Sequence, residues 1–226
     1  MAREFEIVRE HDIDAPAEEV WDAITDGNGG WLWPMEYDPR VGGAAAFGGR
    51  VVAWDPPRHL SGRMEGPDGW FNQVEEVLTP LEGGRTHLRY VHSGVFVDDW
   101  DNQYDGAGAH TDFYLHTLCE YIAHFSRRPV VYSSTDAPAA SNTPDGFARL
   151  RDALDLTSLP GSPAEVVVDY DTEHFLGLRT ETALVRFFGR NAWGAPVGVA
   201  VHDFAPGADA EATTAAWDGW LEKVYA

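Results

Sequence analysis

Between residues 41 and 92 the chain reads as one short strand-like run after another, around 44–47, 50–54, 59–65, 70–79 and 85–92, with Gly and Pro punctuating the gaps. Consecutive short strands argue for an antiparallel meander. Ahead of them, residues 5–13 alternate apolar and charged side chains as a half-buried strand does. Pro16 with Glu18 and Glu19 then marks the start of a helix that ends by Gly27, with Val20, Trp21 and Ile24 on one face. After the meander an acidic loop is expected at 97–108. A long helix follows at 110–125, where Tyr114, Leu118, Tyr121, Ile122 and Phe125 fall at helical spacing.

Residues 130–142 lose periodicity and gain Ser, Ala and Pro, which reads as a linker or a long connection. The expected organisation is a domain at 1–128, a linker at 129–142 and a smaller α+β lobe at 143–226. Within the lobe, Thr143 and Pro144 form an N-cap and N1 pair opening a helix to about Leu156. Strands are expected at 165–170 and 196–204 and a terminal helix at 209–225, while 182–189 is ambiguous. A faint echo links Val91-His92 followed by Phe96 and a helix with Val201-His202 followed by Phe204 and a helix.

A chain of 226 residues with 44% hydrophobic side chains can bury enough surface to fold. Its net charge of −21 argues against nucleic acid and anionic membrane as partners, because binding phosphate needs clustered cations. Cys119, the single cysteine, excludes an intrachain disulfide. The charged start MAREFEIVREHD lacks the apolar run of a signal peptide, so a cytoplasmic setting is expected.

The phrases IDAPAEEVWDAITD (13–26), the Trp31/Trp33 pair, DPPRHLSGRME (55–65), VEEVLTPLEGGRTHLRYVHSG (74–94) and the helix with Leu115, Leu118 and Ile122 occur in an order that resembles the START-like, or SRPBCC, superfamily. Within it the chain is most similar to the subfamily of heat-shock ATPase activator homologues, over residues 3 to about 126. The resemblance implies a helix-grip fold, in which a curved antiparallel sheet wraps a long helix, and a cavity between them for apolar small molecules. Some members catalyse aromatic cyclisation or dehydration, and others sequester toxic natural products. Where that subfamily commonly opens its long helix with Gly-Trp, this chain has His110-Thr111, which implies an altered pocket entrance.

Six of the nine tryptophans precede residue 128, and large flat rings in such number suit a flat hydrophobic ligand as well as a core. The candidate ligand-binding residues are Trp31, Trp33, Trp54, Phe71, Tyr90, His92, Trp100 and Tyr114. In the run at 85–92, period two places Leu88, Tyr90 and His92 on one face, the likelier inner one by its apolar content. His116, Glu120 and His124 share a helix face but read as a solvated one, and the spacing of 101–112 only imitates a calcium loop. No metal is expected. Without a phosphate loop, a GxSxG elbow or a dinucleotide fingerprint, no cofactor is expected either.

The leading expectation is therefore an α+β, helix-grip protein that binds an apolar, aromatic or polyketide-like molecule for transport, sequestration or self-resistance. A cofactor-free cyclase or dehydratase using the same cavity is the alternative, with His92 and Tyr114 as catalytic acid or base. A third reading is a protein-interaction module acting on a chaperone or other partner through the second lobe or its terminal helix with Trp217 and Trp220.

Overall fold

In β1 (Arg3–Ile13) alternate residues Phe5, Ile7 and Ile13 are buried and their neighbours wet, the signature of a strand covered on one face. The computed structural model of the chain describes residues 2–161 and 165–226. Pro16 stops the strand and sits at the cap of α1 (Ala17–Ile24), whose first turn carries Glu18 and Glu19 where the helix dipole favours negative charge. The buried face of α1 is Val20, Trp21, Ala23 and Ile24.

Four strands follow: β2 (Arg50–Asp55), β3 (His59–Glu65), β4 (Phe71–Leu81) and β5 (Arg85–Phe96). They form an antiparallel sheet in the order β1-β5-β4-β3-β2, so the last strand of the meander closes onto the first. Register fixes which side chains share a face. Opposite His92 stand Ile7 and Val74, opposite Tyr90 stand Arg9 and Glu76, and opposite Glu76 on β3 stands Leu60. This inner face faces α2 (Trp100–Phe125), whose residues Leu115, Leu118, Ile122 and Phe125 are buried.

Two local expectations are corrected here. Residues 44–47 make no strand: a single bridge joins Ala44 to Arg50, and Ala46–Gly48 is a turn of 3-10 helix in which Phe47 takes a left-handed φ of 56°. The acidic stretch read as a loop at 97–108 is largely helix, since α2 begins at Trp100. Gly106, Gly108 and sparse apolar residues hide the helical period there. What supports it are Asp101 in the first turn and the Trp100 and Tyr104 rings, four residues apart, stacked at 4.6 Å. A helix through 101–112 cannot wrap a calcium ion.

The chain divides into two compact units, Met1–Arg127 and Arg128–Ala226. The segment expected as a linker contributes β6 (Val131–Asp136) to the second unit. There α3 (Gly146–Ala153), β7 (Val167–Asp171), β8 (Phe175–Arg179), β9 (Ala183–Phe188), β10 (Gly198–Asp203) and α4 (Ala210–Val224) follow in turn. Thr143 does not cap α3; its hydroxyl donates to Asp145, the actual N-cap residue.

The second sheet runs β6-β10-β9-β8-β7, the same topology as the first. His92 and His202 occupy the last strand of their respective sheets, each opposite the first strand, at Ile7 and Tyr132. The faint sequence echo thus coincides with a repeated strand order. Trp217 lies 5.4 Å from Phe187 within a core that also holds Leu178, Val199 and Leu221, and Trp220 packs against it. Of the two rings read from sequence as a docking surface, Trp217 is taken up by the second unit's own core and Trp220 stays partly exposed beside it.

Candidate functional site

The cavity of the first unit exists because the inner face of the sheet is short of bulk at one point. Gly62 of β3 and Ala107 of α2 are both among the lining residues, and a Cβ at Gly62 would meet nothing closer than Ala45 at 3.7 Å. Along α2 the lining residues are Ala107, His110, Thr111, Tyr114 and Leu115, the spacing of one helical stripe. The cavity volume is about 340 Å³, which matches a small ligand pocket.

Aromatic rings form much of the wall. Asn28 fixes the segment that carries two of them: its amide donates to the Met35 carbonyl and accepts from the Met35 N–H, both at 2.9 Å. Trp31 is buried, with its indole N–H donating to the Ala23 carbonyl at 2.8 Å. Trp33 meets Tyr114 edge to face at 5.6 Å and Phe47 at 5.9 Å. Its indole nitrogen is buried and has no hydrogen-bond partner among the described residues.

Of the ligand-binding candidates read from sequence, Trp31, Trp33, Tyr90, His92 and Tyr114 line this cavity. The other three are placed elsewhere. Trp54 packs on Trp21 at 5.2 Å and Tyr37 at 6.2 Å. Phe71 lies under the Arg63 guanidinium at 4.0 Å, on the outer face by its register with Glu65. Trp100 stacks on Tyr104, covered by Arg3 at 3.8 Å, and donates to the Glu4 carbonyl at 3.1 Å.

Among the lining residues missing from that set, Tyr37 and Glu76 matter most. Tyr37 belongs to the aromatic segment after α1. Glu76 is more consequential, being a carboxyl only 5% exposed on the inner face of β4. No hydrogen bond to it is found among the described residues. Its parity with Val74 and Leu78 was the available signal: in a strand with one buried face, a charge in step with the apolar residues points inward. Burial pushes the Glu76 carboxyl up to about 8 and, with Glu76 nearby, raises the Tyr37 and Tyr90 phenols above their ordinary range.

His92 is shifted the other way. Burial lowers its imidazole to about 4, so at neutral pH it is uncharged. The Asn72 side-chain amide approaches its Nε2 within 3.0 Å, and Phe5 meets its ring edge-on at 5.0 Å. His110 and Thr111, the pair that replaces Gly-Trp, both border the cavity. His124 Nε2 lies 3.7 Å from Glu120, and among the described residues no group of three or more metal-binding side chains converges. Burial raises the Cys119 thiol, which makes it a poor nucleophile.

The arrangement can hold a flat apolar guest between rings and present it with a few polar groups.

Residues 14–121 match the family model described as activator of Hsp90 ATPase homolog 1-like protein. Among solved structures, the chain is similar to protein MLL2253 from Mesorhizobium loti, with 28% identity over 54% of this chain and 99% of that one and a TM-score of 0.44. CalU16 from Micromonospora echinospora is 25% identical over 54% of this chain and 87% of its own, with a TM-score of 0.42. DynU16, a protein of the dynemicin biosynthetic locus, is 15% identical over 97% of this chain and 95% of its own, with a TM-score of 0.43. No curated protein matches the chain. The family match spans the helices and strands that build the cavity: through this first unit the chain is similar to the AHSA1 family of the START-like superfamily, and it has the helix-grip fold.

Proposed function

We propose that the first unit binds an apolar, aromatic or polyketide-like small molecule in the cavity between its sheet and α2, and that it carries or sequesters that molecule. The observation that supports this most is the ring-lined hollow of about 340 Å³ itself, left open by Gly62 and Ala107 where larger side chains would have filled it. Burying about 200 Å² of an aromatic guest at ~25 cal/mol/Å² contributes about 5 kcal/mol before the entropy of association is subtracted. The buried, unpartnered Trp33 N–H favours a guest with one hydrogen-bond acceptor.

Titration with flat polycyclic compounds, followed by quenching of tryptophan fluorescence, tests the reading. Saturable quenching by at least one compound of suitable size is expected, because Trp31 and Trp33 border the site. No quenching across a broad panel overturns it.

A further inference from the structure

Resting on that reading, we infer that the ligand of this cavity carries a basic amine, and that its ammonium seats against the Glu76 carboxylate between the phenol rings of Tyr37 and Tyr90.

The argument begins with what the protein withholds from Glu76. A carboxyl buried this deeply normally has a cationic or hydrogen-bonding partner, since an uncompensated buried charge is costly. Among the described residues, the neighbouring elements supply none. Across β4, Glu76 faces Leu60 of β3 and Tyr90 of β5. His92, next along the inner face of β5, is neutral at physiological pH. Arg9, the inward residue of β1 opposite Tyr90, is taken by a two-pronged ion pair with Asp112 of α2. Arg63 of β3 borders the cavity, but its guanidinium is turned to the outer face by register, donating at 2.9 Å to Glu65 and at 2.9 Å to Gln73 and lying over the Phe71 ring. From α2, the titratable groups that border the cavity are His110 and Tyr114. No protein cation therefore meets Glu76 among the described residues.

The rings around it point to the same chemistry. An acidic group set among aromatic faces is the arrangement that recognises ammonium ions, because the ring quadrupole attracts a cation that has lost its water. Tyr37, Tyr90, Trp33 and Tyr114 supply such faces along the cavity wall. The net charge of −21 adds a long-range pull on cationic ligands. For a neutral guest a carboxyl at this place is a desolvation penalty without return. For an amine it is the counter-ion.

Binding then moves one proton, and the balance is explicit. The neutral acid of Glu76 and the ligand's ammonium combine to give a carboxylate–ammonium pair, and the acid proton leaves to solvent. With Glu76 held near 8, about one proton is released per ligand at pH 7.

The test uses the full chain with 9-(aminomethyl)anthracene and its neutral counterpart 9-anthracenemethanol. Calorimetry at pH 7 in two buffers of different ionisation heat reads affinity and proton count together. The amine is expected to bind at least about 30-fold tighter than the alcohol, with close to one proton released. Glu76→Gln should lose that preference while binding the alcohol at least as well as the wild type. Equal binding of the two compounds, or amine binding without proton release in the wild type, overturns the amine inference and leaves cavity binding standing. Binding of neither compound overturns both. The proton count is read on the wild type, so it remains decisive whether or not the variant folds.

Discussion

Glu76 of β4 and Tyr90 of β5 stand directly opposite each other in antiparallel register, both on the inner face of the first sheet. Each is driven toward its neutral form by burial, and Glu76 makes Tyr90 harder still to ionise. The pair is an uncharged polar floor to an apolar cavity at neutral pH. That arrangement has a cost which can be read as stability.

Because the folded state holds the Glu76 proton up to about 8 against an ordinary 4.5, the unfolded chain ionises first as pH rises. The contribution of this group is neutral below 4.5, and stability falls across the window from 4.5 to 8, by up to about 1.4 kcal/mol per pH unit. Glu76→Gln removes the slope. The variant is expected to match the wild type near pH 4.5 and to exceed it by several kcal/mol, up to about 5, above pH 8. Urea unfolding at a series of pH values measures the difference, and a constant gap between the two proteins would contradict the assignment.

His92 tilts the opposite way. Its folded value of about 4 lies below the ordinary 6.5, so the stability it contributes is complete above 6.5 and is lost as pH falls toward 4. Between 4.5 and 6.5 the two slopes offset each other in the wild type. In His92→Gln the acid-side loss disappears, and stability should rise from pH 6.5 to 4.5 where the wild type stays nearly flat. Proton NMR provides a second reading, since the His92 ring signals are expected to remain those of a neutral imidazole down to about pH 4.

Gly30 is pinned against Tyr121. A Cβ there would come within 2.4 Å of the Tyr121 ring, which is itself buried and accepts the Arg127 N–H at 3.2 Å. The 3-10 turn at Asn28–Gly30 leads directly into Trp31 and Trp33. Gly30→Ala should therefore destabilise the protein by about 1–3 kcal/mol and displace the two tryptophans. A shift in fluorescence maximum together with a lower denaturation midpoint is the expected outcome, and a wild-type midpoint would refute it.

Phe47 borders the cavity although it is 70% exposed, and it stands on a left-handed backbone. Asn tolerates that conformation better than Phe. Phe47→Asn is expected to leave stability within about 0.5 kcal/mol while weakening a polycyclic guest by roughly three- to tenfold through loss of one ring edge. Parallel urea and fluorescence titrations separate the two effects.

Period two in β1, β3, β4 and β5 made the sheet of the first unit legible, and the spacing of Leu118, Ile122 and Phe125 did the same for the second half of α2. The first turns of α2 were not legible, because Gly106, Gly108 and a run of acids carry no apolar stripe. What orders them is a helix terminus favourable to acids and the Trp100–Tyr104 stack. Of the rings, sequence showed that they cluster but not which wall they join. Phe71 illustrates this, one residue out of step with Asn72 and therefore on the other face of β4. Glu76 went unread for the opposite reason: a charged residue in an amphipathic strand is ordinarily the wet one, and only its step with Val74 and Leu78 betrays it. In the second unit, β6 was hidden because Ser133, Ser134 and Thr135 resemble a linker until a neighbouring strand pairs with them.

The most direct measurement compares wild type with Gly62→Phe in calorimetric titration with 9-anthracenemethanol. Gly62 has an ordinary backbone, and a Cβ there would make only ordinary contacts, with Ala45 at 3.7 Å and Tyr37 at 4.0 Å, so the added ring should fill the hollow without unfolding the sheet. Saturable binding by the wild type and its loss in a folded Gly62→Phe variant is the predicted result. Unchanged affinity in the filled variant would show that the guest sits elsewhere and would contradict the account.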